Sequence, residues 1–330
     1  MRALLISKHA TYKEHHDLQT MGVLDPEANS YELVKERHEL RCFKVRTPNA
    51  CIVITDTKGY DQDPYVLELS RAKDRFRNKY FYEKKEDGTY EQHKFMSRWL
   101  ADKTARTVDR LTVDPTGGEK DAYNLWRAPL ASTLDVVDDG MVAELVQPII
   151  DHIQKVICNG NSDRAKHVLE FLSNILKHPE QRSERGLYVY GETGAGASLI
   201  FKFFCSEVLG PYNSFQTYNQ TVGLDASRNS TFHRSCVLVG GVRRTQKILN
   251  HLITKKTVCF RRKNSRSPVI VNNLVNLIVT SKRAPNKSNN NFDVFHCRPK
   301  LRVGKLEYFD MLLAHLRRPE VARAFYQFLT

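Results

Sequence analysis

The sequence predicts an α/β fold in which a parallel sheet carries a phosphate-binding loop. Residues 187–190 form a short, β-rich apolar run, and residues 191–198 (GETGAGAS) follow it with the glycine spacing of such a loop. Residues 199–209 then have the pattern of a helix, which Gly210 and Pro211 end. Strand, glycine turn and helix is the required order, because it directs backbone N–H groups and the positive end of the helix toward the phosphate. An ordinary glycine-rich turn between a strand and a helix stays open as the alternative.

The loop has the expected glycines but not the expected lysine. The positions that match a nucleotide cradle are Gly191, Gly194, Gly196 and Ser198. Ala197 stands where the lysine that bridges the β- and γ-phosphates is required. Lys202 is no substitute, because it lies about 6 Å further along the helix axis and is expected to point away from the phosphates.

Length and composition indicate a folded protein of about two domains. The chain has 330 residues, of which 41% are hydrophobic and 10% aromatic, and no apolar run approaches the ~20 residues of a membrane span. No signal-peptide pattern opens the sequence, so a reducing, cytosol-like compartment is expected. The seven cysteines form no CxxC pair, which favours buried, reduced thiols over a disulfide framework or a metal site.

The positive charge of the chain is concentrated in one window. Residues 243–302 contain 15 lysines and arginines and a single acid, Asp293, so they account for the whole net charge of +14. A solvated surface usually mixes both signs, and a window almost free of acids favours nucleic acid as the partner. An anionic membrane surface or an acidic protein partner stays open.

Three phrases in the middle of the chain resemble a known family. Residues 95–109 (FMSRWLADKTARTVD) are followed by residues 111–115 (LTVDP) and 123–127 (YNLWR). Together with the loop, they resemble the primase-helicases of superfamily 3 found in phages and large DNA viruses. Residues 138–177 resemble the helical collar of that family. The resemblance implies three parts: an N-terminal mixed region of unknown role (1–92), a helicase-associated collar region (93–180) and a P-loop, AAA+-like ATPase domain (181–330).

The resemblance also assigns positions after the loop. Residues 236–239 match the Walker B strand, but Gly240 and Gly241 stand where the family carries acids that hold Mg²⁺. Residues 277–281 match the sensor strand, with Lys282 in place of a polar asparagine. Arg283 and Arg298 match the arginine positions of the family. Residues 249–258 and 268–271 are interpreted as two β-rich runs around a basic turn. The residues expected to contact nucleic acid there are Lys255, Lys256, Arg261, Arg262, Lys263 and Arg266.

These departures predict that the chain is not an enzyme. Hydrolysis by a P-loop protein needs positive charge and Mg²⁺ around the transferring phosphoryl group, and both the lysine and the acids are missing. We expect no cofactor, although residual ATP binding stays open. An engineered Ala197 is the weaker explanation, because the losses lie in three separate segments.

The predicted function is therefore binding or assembly. The expected partners are nucleic acid, in particular single-stranded or non-specific DNA, and further copies of the chain or a larger viral assembly. A minor capsid protein of a large DNA virus fits this role, located in the virion or in the host cytoplasm or nucleus. Two alternatives stay open, a nucleotide-binding regulatory subunit of a hexameric helicase and an active helicase with non-standard site residues.

Overall fold

The computed structural model describes residues 25–46, 50–55, 65–218, 234–241, 246–260, 269–285, 290–297 and 306–330. The chain divides into two compact units, one reaching Arg110 and the other running from Leu111 to Thr330. The segment 93–180 of the sequence-based division is thereby shared between the two units.

The first unit combines a four-stranded sheet with short helices and a hairpin. Its elements are α1 (Tyr31–Glu39), β1 (Cys42–Val45), β2 (Cys51–Ile54), β3 (Tyr65–Glu68), α2 (Leu69–Arg75), β4 (Tyr80–Lys84), β5 (Tyr90–Lys94), α3 (Phe95–Ala101) and β6 (Thr107–Val108). The sheet order is β3-β2-β1-β6, and β4 pairs with β5. Trp99, in the phrase that resembles the helicase family, is fully buried in the aromatic core of this unit and donates its indole N–H to Glu39 Oε1 at 2.8 Å.

The second unit is a mixed α/β structure built on a parallel sheet. Its elements are β7 (Arg110–Thr112), β8 (Ala122–Asn124), α4 (Asp139–His152, continued by a π-helical turn Ile153–Ile157), α5 (Ser162–Lys177), β9 (Gly186–Gly191), α6 (Leu199–Phe203, continued by a π-helical turn Phe204–Leu209), β10 (Ser214–Thr217), β11 (Cys236–Gly240), α7 (Gln246–Thr254), β12 (Thr257–Phe260), β13 (Val269–Asn272), β14 (Asn276–Ser281), β15 (Phe292–Cys297), α8 (Leu306–Leu316) and α9 (Pro319–Leu329).

Five strands form the sheet in the order β10-β11-β14-β9-β15, and each neighbouring pair is parallel. The strands β9, β11 and β14 are buried almost throughout, as expected for parallel strands covered on both faces. Side chains of β9 join those of α4, α5, α6 and α9 in one continuous apolar core. The predicted strands at 187–190, 236–239 and 277–281 are thus confirmed, as is helix from residue 199 to 209.

One sequence-based interpretation was wrong. Residues 249–258 do not form a single β-rich run, because Gln246–Thr254 is the helix α7 and only Thr257–Phe260 is a strand. Leu249, Leu252 and Ile253 are buried at the 3- and 4-residue spacing of a helix face, and this packing outweighs the local β-propensity. The strands β12 and β13 do pair antiparallel around the basic turn, which lies outside the described residues.

Six cysteines are buried with free thiols, and the side chain of Cys259 lies outside the description. No helix in the described parts of the chain is long and apolar enough to cross a membrane.

Candidate functional site at the carboxyl edge of the sheet

Residues 191–198, here called the glycine loop, connect β9 to α6. Gly194 and Gly196 have φ angles of 82° and 80°, in the left-handed region that favours glycine. Within the loop, the N–H of Ala195 donates to Glu192 O at 3.2 Å. Among the described residues, no acceptor faces the N–H groups of Gly194, Gly196 and Ala197. The loop therefore offers free backbone donors, which is the feature that a bound anion requires.

His152 supports the loop from beneath. This side chain is fully buried at the end of α4, with Nε2 3.1 Å from Gly196 O and Nδ1 3.0 Å from the Tyr308 hydroxyl. Burial lowers the pKa of His152, so the ring is neutral and carries one N–H. Because a carbonyl can only accept, Nε2–H donates to Gly196 O, and Nδ1 accepts from the Tyr308 hydroxyl. The imidazole thus ties the loop to α4 and α8.

A thiol provides a second support. Cys297, the last residue of β15, places Sγ 3.4 Å from Ala195 O and 3.2 Å from Val156 O. Burial raises the pKa of this thiol to about 11, so it stays protonated and can donate a weak hydrogen bond. A Cβ atom at Gly191 would lie 2.4 Å from Cys297 O, which explains the glycine at the end of β9. Side chains of the protein itself therefore hold the loop on two sides.

Ala197 contributes no charge to the loop. Its methyl group is partly buried and packs against the apolar core. Ser198 precedes α6 without a side-chain capping bond. The exposed Lys202 directs its ammonium over the ring of Tyr218, with Nζ 5.3 Å from the ring centroid. The loop thus contains no lysine, and the nearest one along α6 pairs with an aromatic ring.

The register of the sheet brings the other sequence-predicted positions to the same edge. Tyr190, just before the glycine loop, pairs with Ser281, and Gly240 pairs with Thr280. The carboxyl ends of β9, β11 and β14 therefore align, which is where open α/β sheets bind ligands. Lys282 and Arg283 follow β14 at this edge and are both exposed.

Both glycines at the end of β11 have structural reasons. A Cβ atom at Gly240 would lie 2.3 Å from Cδ1 of Tyr218, so any larger residue would displace that ring. Gly241 has a φ of 70°, and its N–H donates to Thr280 O at 2.9 Å. Neither residue offers a carboxylate, so the end of β11 does not fit a Mg²⁺ ion. Across the described residues, no group of three or more His, Cys, Asp or Glu side chains could hold a metal ion.

The remaining predicted residues are only partly described. Lys255 and Lys256 are exposed between α7 and β12. Arg261, Arg262, Lys263 and Arg266 lie in the turn outside the described residues, as does Arg298. Arg283 donates its backbone N–H to Ser281 Oγ at 3.1 Å, and its carbonyl accepts from the Tyr188 hydroxyl at the same distance. The nucleic-acid and sensor roles of these residues stay predictions.

Sequence reasoning missed His152, Cys297 and Tyr218. His152 and Tyr308 are 156 residues apart, and no local motif links them. The only signal in the sequence was indirect: a glycine at positions 196 and 240 indicates that a neighbouring group leaves no room for a side chain.

Comparison with known proteins bears on the fold. No family model matches the chain, and no curated protein matches it. The chain is similar to the A-form apo structure of the NrS-1 C-terminal region, with a TM-score of 0.55, 13% sequence identity, and coverage of 86% of this chain and 64% of that one. Another apo structure of the same region gives a TM-score of 0.54 and 14% identity, over 87% of this chain and 65% of that one. The chain thus spans less than two thirds of the length of these structures, and it shares their mixed α/β fold with a parallel sheet.

Proposed function

We propose that this chain is a helicase-like protein that binds nucleic acid without hydrolysing nucleotide, and that it acts as a binding or assembly component. The resemblance of the sequence to superfamily 3 primase-helicases supports this proposal. So does the fold shared with the NrS-1 C-terminal region. In this proposal the parallel sheet is a P-loop domain, and the glycine loop is its phosphate-binding loop.

The observation that carries the proposal is the contact between Tyr218 and Gly240. In an active P-loop enzyme, a carboxylate after this strand positions Mg²⁺ and activates water. Here the tyrosine ring occupies the space next to Gly240 that a side chain would need. Together with Ala197, this arrangement removes both the metal ligand and the positive charge that hydrolysis requires.

Nucleic-acid binding is assigned to the basic window around the hairpin β12–β13. Lys255 and Lys256 precede this hairpin and are exposed, so their ammonium groups can reach phosphates. Contacts of this kind neutralise phosphates and carry little sequence preference, which fits single-stranded or non-specific DNA.

Two narrower roles belong to this proposal, and the first of them rests on the sequence alone. A ring or virion assembly, with the chain as a minor capsid protein, follows from the family resemblance and the lost catalytic residues. A second candidate function, a nucleotide-binding regulatory subunit, is favoured by the free N–H groups of Gly194, Gly196 and Ala197. Either role is compatible with absent hydrolysis.

DNA binding is tested by fluorescence anisotropy of a labelled single-stranded oligonucleotide over a range of salt concentrations. For single strands, the slope of log K against log salt is about −0.7 per phosphate contact. The double variant Lys255→Gln/Lys256→Gln should therefore make the slope shallower by about 1.4. The matched control removes two exposed lysines of α5, Lys166→Gln/Lys177→Gln, and should leave the slope unchanged. Equal slopes in all three proteins would contradict the assigned surface.

Hydrolysis is tested in the same preparations by single-turnover assays with MgATP, with and without DNA. The native chain should release no phosphate above background. Ala197→Lys should strengthen ATP binding about 10- to 150-fold, because a charge-assisted hydrogen bond contributes about 1.5–3 kcal/mol, yet it should not restore turnover. DNA-stimulated hydrolysis by the native chain would refute the proposal and identify an active helicase.

A further inference from the structure

A cleft of about 390 Å³ lies between the segment that joins α4 to α5 and the strands β9 and β15. The residues of its wall that matter for binding are Asn159, Asn161, Arg164, Tyr190, Val294 and His296. This volume falls within the range of small-ligand sites. None of the described residues that line the cleft is acidic.

One wall of the cleft is an aromatic stack. Tyr190 and His296 are direct neighbours in the register of β9 and β15, and their rings lie 4.6 Å apart with an interplanar angle of 4°. β15 is the outermost strand of the described sheet, so no strand of that sheet covers the far face of the His296 ring. His296 is exposed, whereas Tyr190 is half-buried. A further planar ring can therefore continue the stack on the outer face of His296.

Polar groups on the opposite wall are fixed in position. Arg164 donates from Nη2 to Val294 O at 2.5 Å, and its guanidinium lies 4.4 Å from the centroid of the Phe295 ring. Asn161 caps α5 by accepting the N–H of Arg164 at 2.9 Å, which leaves its amide NH₂ as a donor. Asn159 donates to His296 O at 2.5 Å and so ties this wall to the strand that carries the stack.

We propose that this cleft binds a nucleobase, stacked on His296 and bordered by the Arg164 guanidinium and the Asn161 amide. Nucleobases are flat, and their edges carry hydrogen-bond acceptors that suit these donors. The positive charge of Arg164 favours the phosphate that accompanies a base. The base can come from a single-stranded nucleic acid or from a free nucleotide. The first of these sources rests on the proposed function.

Photocrosslinking tests the proposal on the 330-residue chain. The probes are an eight-nucleotide single-stranded DNA carrying one 5-iodouracil, and 5-iodouridine monophosphate. Irradiation couples iodouracil to an aromatic ring in contact with it, and mass spectrometry of the digested protein locates the coupled residue. We expect coupling to His296, the ring on which the base stacks.

Variants of His296 separate stacking from folding. His296→Leu should weaken binding of the probe about tenfold, because the base loses the ring on which it stacks. His296→Phe keeps an aromatic ring and should retain most of the affinity. The matched control is His93→Leu, which removes a histidine stacked on Phe81 in the first unit and should leave binding unchanged. Equal affinity of the His296→Leu and His296→Phe variants would overturn the stacking proposal, whichever of them is less stable.

The two probes separate this inference from the proposed function. If the DNA binds but couples only outside the cleft, the inference is wrong and the proposed function stands. If only the mononucleotide couples in the cleft and the DNA does not bind, the nucleobase site stands and nucleic-acid binding is wrong. If neither probe binds, both the nucleobase site and the proposed nucleic-acid binding are wrong.

Discussion

Alanine substitutions at Gly194 and Gly196 should have different effects, although both glycines belong to one loop and have nearly equal φ angles. A Cβ atom at Gly194 would meet no atom of the described residues within 4 Å. A Cβ atom at Gly196 would lie 2.8 Å from Cε1 of His152 and 2.8 Å from Cε1 of Phe309. His152 is buried and hydrogen-bonded on both nitrogens, so it cannot move aside without losing those bonds.

The magnitudes follow from this geometry. A left-handed backbone costs an L-residue about 1–2 kcal/mol, and this term applies to both Gly194→Ala and Gly196→Ala. Forcing a methyl group into a packed site costs about 1–3 kcal/mol more, and this term applies only at Gly196. We therefore expect the free energy of unfolding to fall by about 1–2 kcal/mol for Gly194→Ala and by about 2–5 kcal/mol for Gly196→Ala.

Urea unfolding followed by circular dichroism measures both values. The double variant His152→Ala/Gly196→Ala provides a cycle: removing the imidazole should recover part of the extra loss at position 196, so the two substitutions should not add. Equal losses at the two glycines would refute the reasoning, because they would show that His152 and Phe309 do not close the space beside Gly196. A larger loss at Gly194 would refute it as well.

Three further predictions concern other parts of the chain. In the first unit, burial lowers the pKa of Lys79 to about 7, and its Nζ lies 3.0 Å from His38 Nδ1. Between about pH 7 and 10.5, the unfolded chain therefore holds a proton on Lys79 that the folded unit lacks. The free energy of unfolding should rise with pH across that window by a few kcal/mol. Thermal unfolding at stepped pH should show this rise, and Lys79→Met should flatten it. Gly240→Asp should lower the melting temperature by displacing Tyr218, and the loss should shrink in a Tyr218→Ala background; an additive loss would contradict the contact. Cys297 should resist iodoacetamide at pH 8 in the native protein and react in urea, as read by mass spectrometry, whereas rapid native labelling would mean that the loop opens.

The sequence was sufficient for the parts of the fold that depend on local patterns. The strands β9, β11 and β14 are continuous apolar runs, and the glycine spacing located the turn between β9 and α6. The helix α7 was misread because threonine, valine and isoleucine around it favour strands, while the burial that decides the matter comes from distant segments.

The candidate site was predictable only as a set of positions. Parallel pairing brings Gly240 and Ser281 to the same edge as the glycine loop, as expected for successive strands that end in turns. The supports of the loop were not predictable, because His152 and Tyr308 meet across 156 residues. Tyr218 fills the space beside Gly240. This contact depends on the packing of separate segments, which the local sequence pattern does not reveal.

Groups of the protein's own core hold the glycine loop in place. Here a neutral imidazole donates to Gly196 O, and the Cys297 thiol lies within hydrogen-bonding distance of Ala195 O; both groups belong to the buried core. The loop conformation is then part of the stability of the second unit and does not depend on a ligand. Substitutions in the loop should therefore reveal themselves first in stability and only then in binding.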